Sequence, residues 1–136
     1  MSTETNKTIV RRLLDAINTD NEAAFLAVLE PNVLDHYSLP GLPPGREGWN
    51  MNRKILRSAF PDAHWHEEDL FAEGDRVVGR YTLRGTHQGD FLGIPPTGNV
   101  ITVSNIHILR IADGKIVEHW GHGDDMGMTR QFGAVA

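Results

Sequence analysis

A chain of 136 residues with 40% apolar and 23% charged residues is long enough for one buried core and too apolar to stay disordered. Its net charge of -5, with lysines and arginines scattered rather than striped, argues against a nucleic-acid partner, and the absence of cysteine removes disulfides, thiolate nucleophiles and thiolate metal sites. The opening MSTETNKTIV has no basic segment leading into an apolar run, and no stretch reaches the roughly 18 apolar residues of a membrane span. A single domain over 1–136, cytoplasmic and with no membrane partner, is the expectation.

In chain order, Ile9, Val10, Leu13, Leu14 and Ile17 recur at three- and four-residue spacing, with Thr5 available as a cap, and predict a first helix of about three turns. Thr19 to Glu22 interrupts it, and Phe25, Leu26, Val28 and Leu29 predict a shorter second helix stopped by Pro31. Val33 to Tyr37 is short and partly alternating, and Pro40 to Gly45 is an irregular loop. A third helix is predicted from Arg46 to Phe60, although the Trp49 to Met51 spacing fits its period imperfectly, and Pro61 ends it. Strands follow at about His64 to Ala72, Arg76 to Thr86, Asn99 to Ile111 and Lys115 to Gly121, and a short helix at Met126 to Phe132. Helices first and an antiparallel meander after them make an α+β fold, and three helices covering such a sheet are packed most economically if it curves around them and encloses a pocket.

The closing segment, Ile116 to Asp125, carries the densest chemistry. Strand alternation puts Trp120, His122 and Asp124 on one face and His119 with the glycines on the other, and the first set is read as a pocket wall. Whether His107 joins that wall depends on the Asp113-Gly114 turn. A two-residue turn sets His107 opposite Trp120 and Asn105 opposite His122, whereas a turn with a glycine bulge slips the register by one and turns His107 to the side of His119. Asp124 reads either as a cavity carboxylate, a better base for being poorly solvated, or as the cap of the helix after it. The Gly85 to Gly98 segment, GTHQGDFLGIPPTG, reads as a lid or dimer-contact loop rather than a phosphate loop, because Val100 onward is a strand. Seven histidines raise a metal site, but His64-x-His66 and His122-x-Asp124 each supply only two ligands, so none is assigned.

Phe60-Pro61-Asp62, Glu73-Gly74-Asp75-Arg76-Val77, the Gly85 to Gly98 segment, Asp113-Gly114-Lys115-Ile116-Val117-Glu118-His119-Trp120, and Asp124, Gly127 and Gln131-Phe132-Gly133 stand together in order. In these the chain resembles the SnoaL-like polyketide cyclases, within the nuclear-transport-factor-2-like (NTF2-like) superfamily of cone-shaped α+β domains, from about Ile9 to Gly133. The resemblance implies an enzyme without cofactor or metal that closes a ring by intramolecular aldol condensation of a carbonyl-containing small molecule. Its acid/base is the carboxylate four residues after the tryptophan of Ile-Val-Glu-x-Trp, here Asp124. His107 is the second catalytic candidate, and His36, Trp49, Phe60, Phe91, Asn105, Trp120 and His122 are the substrate-binding set. A homodimer or homotetramer is the family expectation. An isomerase or hydrolase on the same scaffold, a noncatalytic binding protein and a metalloenzyme are the alternatives.

Overall fold

The computed structural model describes residues 2–133. Helix α1 spans Thr3–Asn18 and starts earlier than its apolar period suggested, because Ser2, not Thr5, is the cap: its side chain accepts from the Thr5 amide. Ile9, Val10, Leu13 and Ala16 form its buried stripe. Helix α2, Glu22–Ala27, is capped by Asn21 in the same way. Strand β1 then runs Leu29–Asp35, so the residue expected to stop a helix, Pro31, instead lies inside a strand. The sheet tolerates it because β1 is an edge, where a missing amide costs no ladder bond, and its pairing is irregular between Leu29 and Leu34.

Helix α3 covers Gly45–Ala59. Its imperfect period has a simple cause: Trp49 is buried and Met51 is on the exposed side, so only the first belongs to the stripe. Strands β2 (His64–Glu73), β3 (Arg76–Thr86), β4 (Val100–Ala112) and β5 (Lys115–Gly123) follow, and α4 (Asp125–Gln131) closes the described chain. The strand order is β1-β5-β4-β3-β2, antiparallel except for the parallel β1–β5 pair, and the sheet is curled but unclosed, with β1 and β2 as its edges. Helices α1 and α3 pack on this sheet. Asn18 ties the end of α1 to β2 through both the Trp65 amide and carbonyl, at 2.9 Å each.

Two apolar clusters sit at opposite ends of the concave face. One joins α1, α2 and the far ends of β3 to β5 through Phe25, Leu29, Val77, Leu109 and Ile116. The other gathers Phe60, Leu83, Phe91, Ile101, Val103 and Phe132. The Gly85 to Gly98 segment belongs to the second: Gln88 and Gly89 amides donate to the Ala59 carbonyl, Phe91 packs on Phe60 and Phe132, and His87 is fully buried with its Nδ1 accepting from the Thr97 amide. The segment is thus a clasp on the end of α3, with Leu92 the exposed tip.

Candidate active site

The register of the β4–β5 hairpin decides which histidines share a face. Asp113 and Gly114 both take positive φ, 50° and 77°, and form the two-residue turn with Ala112 paired to Lys115. The slip comes further up. Arg110 pairs with Glu118 but Ile111 with Ile116, so Val117 is an extra residue on β5 and every later pair moves by one. His107 therefore lies opposite Gly121, Asn105 opposite Gly123 and Leu109 opposite His119. The concave face carries Asn105, His107, His119 and the two glycines, and Trp120 and His122 are on the outside.

That inner face holds a continuous chain of hydrogen bonds. Asp35 Oδ1 lies 2.8 Å from His119 Nδ1, His119 Nε2 lies 2.8 Å from His107 Nδ1, and His107 Nε2 lies 3.2 Å from Asn105 Oδ1. Each strand contributes through its register: Asp35 pairs with His119 across the parallel β1–β5 ladder, and His119 is diagonal to His107 across β4–β5. The indole of Trp49, from α3, stacks on His119 at 4.3 Å with an 8° interplanar angle, fixing the ring that links the other two. Tyr37 covers the opposite side, and the glycines make room for it. A Cβ at Gly121 would come within 2.3 Å of the Tyr37 ring and 2.9 Å of His107 Nδ1, and one at Gly123 within 2.7 Å of the Tyr37 hydroxyl.

The chain opens into a cavity of about 110 Å³ lined by apolar α1 residues including Leu13 and Ile17, by Trp65 and Tyr81 from the sheet, and by His107 at its polar end. Gly79 permits this shape too, since a Cβ there would collide with the Tyr81 ring. Two cations border the space but are already engaged. Arg53 reaches Asn50 and Asp20, and Arg57 donates to the carbonyls of Ile17, Pro61 and Ala63. On the far side of Trp49, under the loop 38–45, lies a more open hollow of about 480 Å³.

Burial sets the charge states. His107 is pushed down to about 3, first by desolvation and then by the neighbouring His119, so at neutral pH it is an uncharged imidazole. Desolvation pushes the Asp35 carboxyl up, but the His119 hydrogen bond and charge, the Ser38 hydroxyl and the Tyr37 amide outweigh it and hold it below the ordinary carboxylate value. Tyr37 and Tyr81 are both raised to about 12, chiefly by burial, with Asp125 and Glu67 respectively adding to it, so both remain hydroxyl donors.

Of the residues singled out in the sequence, His107, Asn105 and Trp49 meet in this site. Trp120 and His122 lie on the outer face, where Trp120 stacks on His36 at 5.3 Å and under the Arg76 guanidinium. His36 is exposed there and bonds Glu118 at 2.8 Å. Phe60 and Phe91 are buried in the second apolar cluster and do not line the cavity. Asp124 is exposed, is not among the residues lining the cavity, and caps α4, accepting from the Gly127 amide at 2.8 Å. The neighbour on its other side, Asp125, accepts from the Tyr37 hydroxyl at 3.3 Å. Asp35, Tyr37, Asn52, Trp65, Tyr81 and His119 are the site residues that sequence reading missed. The signal for His119 and Tyr37 was present in the alternating Gly121 and Gly123, since glycine in a strand marks a close approach by another group. Among the described residues no three His, Asp or Glu side chains group so as to hold a metal ion.

The chain matches the family model of SnoaL-like polyketide cyclases over residues 7–132. It is 37% identical to the aklanonic acid methyl ester cyclase DnrD of Streptomyces peucetius across 98% of this chain and 92% of that protein. It is 31% identical to the nogalonic acid methyl ester cyclase of Streptomyces nogalater across 77% and 76%. Among solved structures, TsrD from Streptomyces laurentii superposes with a TM-score of 0.91 at 30% identity, covering 99% of both chains. With a match spanning nearly its whole length, the chain belongs to the SnoaL-like polyketide cyclase family.

Proposed function

We propose that this protein is an ester cyclase that closes a ring in a polyketide methyl ester by intramolecular aldol addition. The observation that carries the reading is the apolar cavity ending in the uncharged His107, in a chain whose relatives cyclise such esters. The reaction needs proton movements only. A base removes a proton from the carbon next to a carbonyl, the carbanion attacks a second carbonyl to form the C–C bond, and the resulting alkoxide takes a proton back, so the product is an isomer of the substrate. Nothing in that balance requires a cofactor or metal. Apolar walls keep water from quenching the carbanion, while His107, Asn105 and the raised Tyr37 and Tyr81 hydroxyls orient carbonyl oxygens.

Asp124 is the proposed acid/base. It stands four residues after Trp120 and directly after Gly123, whose inner side abuts Tyr37 and Asn105, and as the acid/base it would exchange its bond to the Gly127 amide for one to the ligand. A second reading, favoured by the Gly127 hydrogen bond, keeps Asp124 as a cap alone and gives both proton transfers to His107. Asp124→Asn separates them, because asparagine caps a helix as well as aspartate but is not a base. With aklanonic acid methyl ester as substrate, the first reading expects kcat to fall by about 100-fold or more at unchanged melting temperature. A variant within a few fold of wild type establishes the second, and a wild type that cyclises no such ester overturns the enzyme assignment.

Self-association is proposed through the outer sheet face. The register aligns Phe71, Val78, Ile108 and Trp120 in one row across four strands, and Phe71 is 65% exposed. An apolar row of this kind suits a symmetric contact with a second copy.

A further inference from the structure

A hydrogen-bonded chain through two imidazoles has few consistent proton placements. At its buried end Asp35 is an acceptor only: Oδ1 takes the Tyr37 amide at 3.0 Å and Oδ2 takes the Ser38 hydroxyl. His119 Nδ1 therefore carries a proton whatever the rest of the chain does. If His119 is neutral, its Nε2 is a lone pair, and the proton in the 2.8 Å bond sits on His107 Nδ1. His107 Nε2 is then a lone pair, and the Asn105 side-chain amide turns its NH2 toward it. If His119 holds both protons, His107 Nδ1 becomes the acceptor, and His107 Nε2–H donates to Asn105 Oδ1 with the same heavy-atom positions.

The two arrangements differ by one proton, and that proton enters or leaves at His107 Nε2, the nitrogen that Asn105 faces, when a ligand in the cavity that His107 lines takes the place of the Asn105 amide. We propose that Asp35 and His119 form a proton store behind His107. A proton arriving from the ligand at His107 Nε2 forms an N–H bond there as His107 Nδ1–H breaks and His119 Nε2–H forms. The charge comes to rest on His119 beside the Asp35 carboxylate. Return of the proton to an alkoxide runs the same bonds in reverse. His107 itself never has to hold the cation, which its burial opposes. Asp35 is the positioning residue of this store, and it touches no ligand. Besides Asp35, the charged or titratable groups around the pair are Tyr37, Arg53, Arg57, Tyr81, His122 and Asp125. Both arginines are committed to other partners, and His122 acts only across the sheet.

The proposal rests for its purpose on the second ring-closure reading, in which His107 makes both proton transfers, but the spectroscopic part of its test does not. Nitrogen-15 NMR of the histidines in the intact, unliganded protein reads tautomers directly. The expected result is a protonated His119 Nδ1, with the His107 proton on Nδ1 where His119 Nε2 is bare and on Nε2 where His119 holds both protons. Asp35→Asn keeps an acceptor for His119 Nδ1 but no charge beside it, so the doubly protonated His119 becomes rarer than in the wild type. Asp35→Ala also releases the Nδ1 tautomer. Turnover of the same methyl ester is expected to fall about 10- to 100-fold in kcat for Asp35→Asn, with KM changed less than about threefold. A His107 tautomer that ignores the protonation of His119, or an Asp35→Asn variant with wild-type kcat, overturns the store. Should Asp35→Ala fail to fold, the wild-type and asparagine spectra decide alone. If no ester is turned over at all, the spectra still judge the relay while the cyclase reading falls separately.

Discussion

The two faces of the β4–β5 hairpin carry almost the same inventory and do opposite things. Inside are His107, His119 and Asn105; outside are Ile106, Ile108, Trp120 and His122. On each face an imidazole stacks on an indole and bonds a carboxylate, His119 with Trp49 and Asp35 inside and His36 with Trp120 and Glu118 outside, yet only the inner group is buried and lines an apolar cavity. Outside, His122 is exposed and Trp120 stacks with the solvated His36 beside Arg76. The difference teaches that residue type is a weak guide to chemistry and desolvation a strong one. A histidine in water is a solvated side chain, whereas His107, stripped of water, stays neutral and can only exchange protons through its partners.

The largest effect expected from this contrast is on turnover. His107→Leu should lower kcat for the methyl ester by about 10²- to 10⁴-fold, whereas His122→Leu on the outer face should stay within about threefold. Equal losses from both would erase the distinction between the faces. An intermediate effect concerns assembly. Phe71→Glu on the outer face should reduce the particle mass seen by sedimentation equilibrium from a dimer or tetramer to the monomer and leave the unliganded histidine spectra unchanged. A wild type that sediments as a monomer removes the outer face from any role in association.

The smallest effect is a slope. His107 binds its proton at about 3 in the folded chain against an ordinary 6.5, so between those values the unfolded state holds more protons and stability falls as the pH drops. The slope approaches about 1.4 kcal/mol per pH unit for one such proton. Asp35, held below its ordinary value of 3.8, contributes in the same direction but only as pH falls into the carboxylate range, so the two windows are separable. Urea unfolding from pH 7 to 4 should show the slope in the wild type and a flatter line in His107→Gln. Parallel lines would mean that His107 is not desolvated in the native state.

Much of the architecture was legible because it follows from short-range rules. The β3 and β4 boundaries lay close to where alternation and the Asp113-Gly114 turn placed them, and α1 was short by one turn only because Ser2 caps it through a side chain that carries no apolar period. Strand β1 was harder. Pro31 reads locally as a helix stop, and only the sheet's strand order, which makes β1 an edge, shows why a strand accommodates it. The glycines and prolines of the Gly85 to Gly98 segment mark an excursion but not where it packs, which is against the end of α3.

Family and α+β class were written in the sequence, since motif order and hydrophobic period survive without knowledge of distant contacts. The face on which the chemistry sits was not. It turned on a single extra residue, Val117, because side chains in a strand alternate with a period of two and one inserted residue exchanges inside for outside. The partnership of Asp35 with His119 was equally out of reach, as 84 residues separate them and only the parallel pairing of β1 with β5 brings carboxylate and imidazole to 2.8 Å.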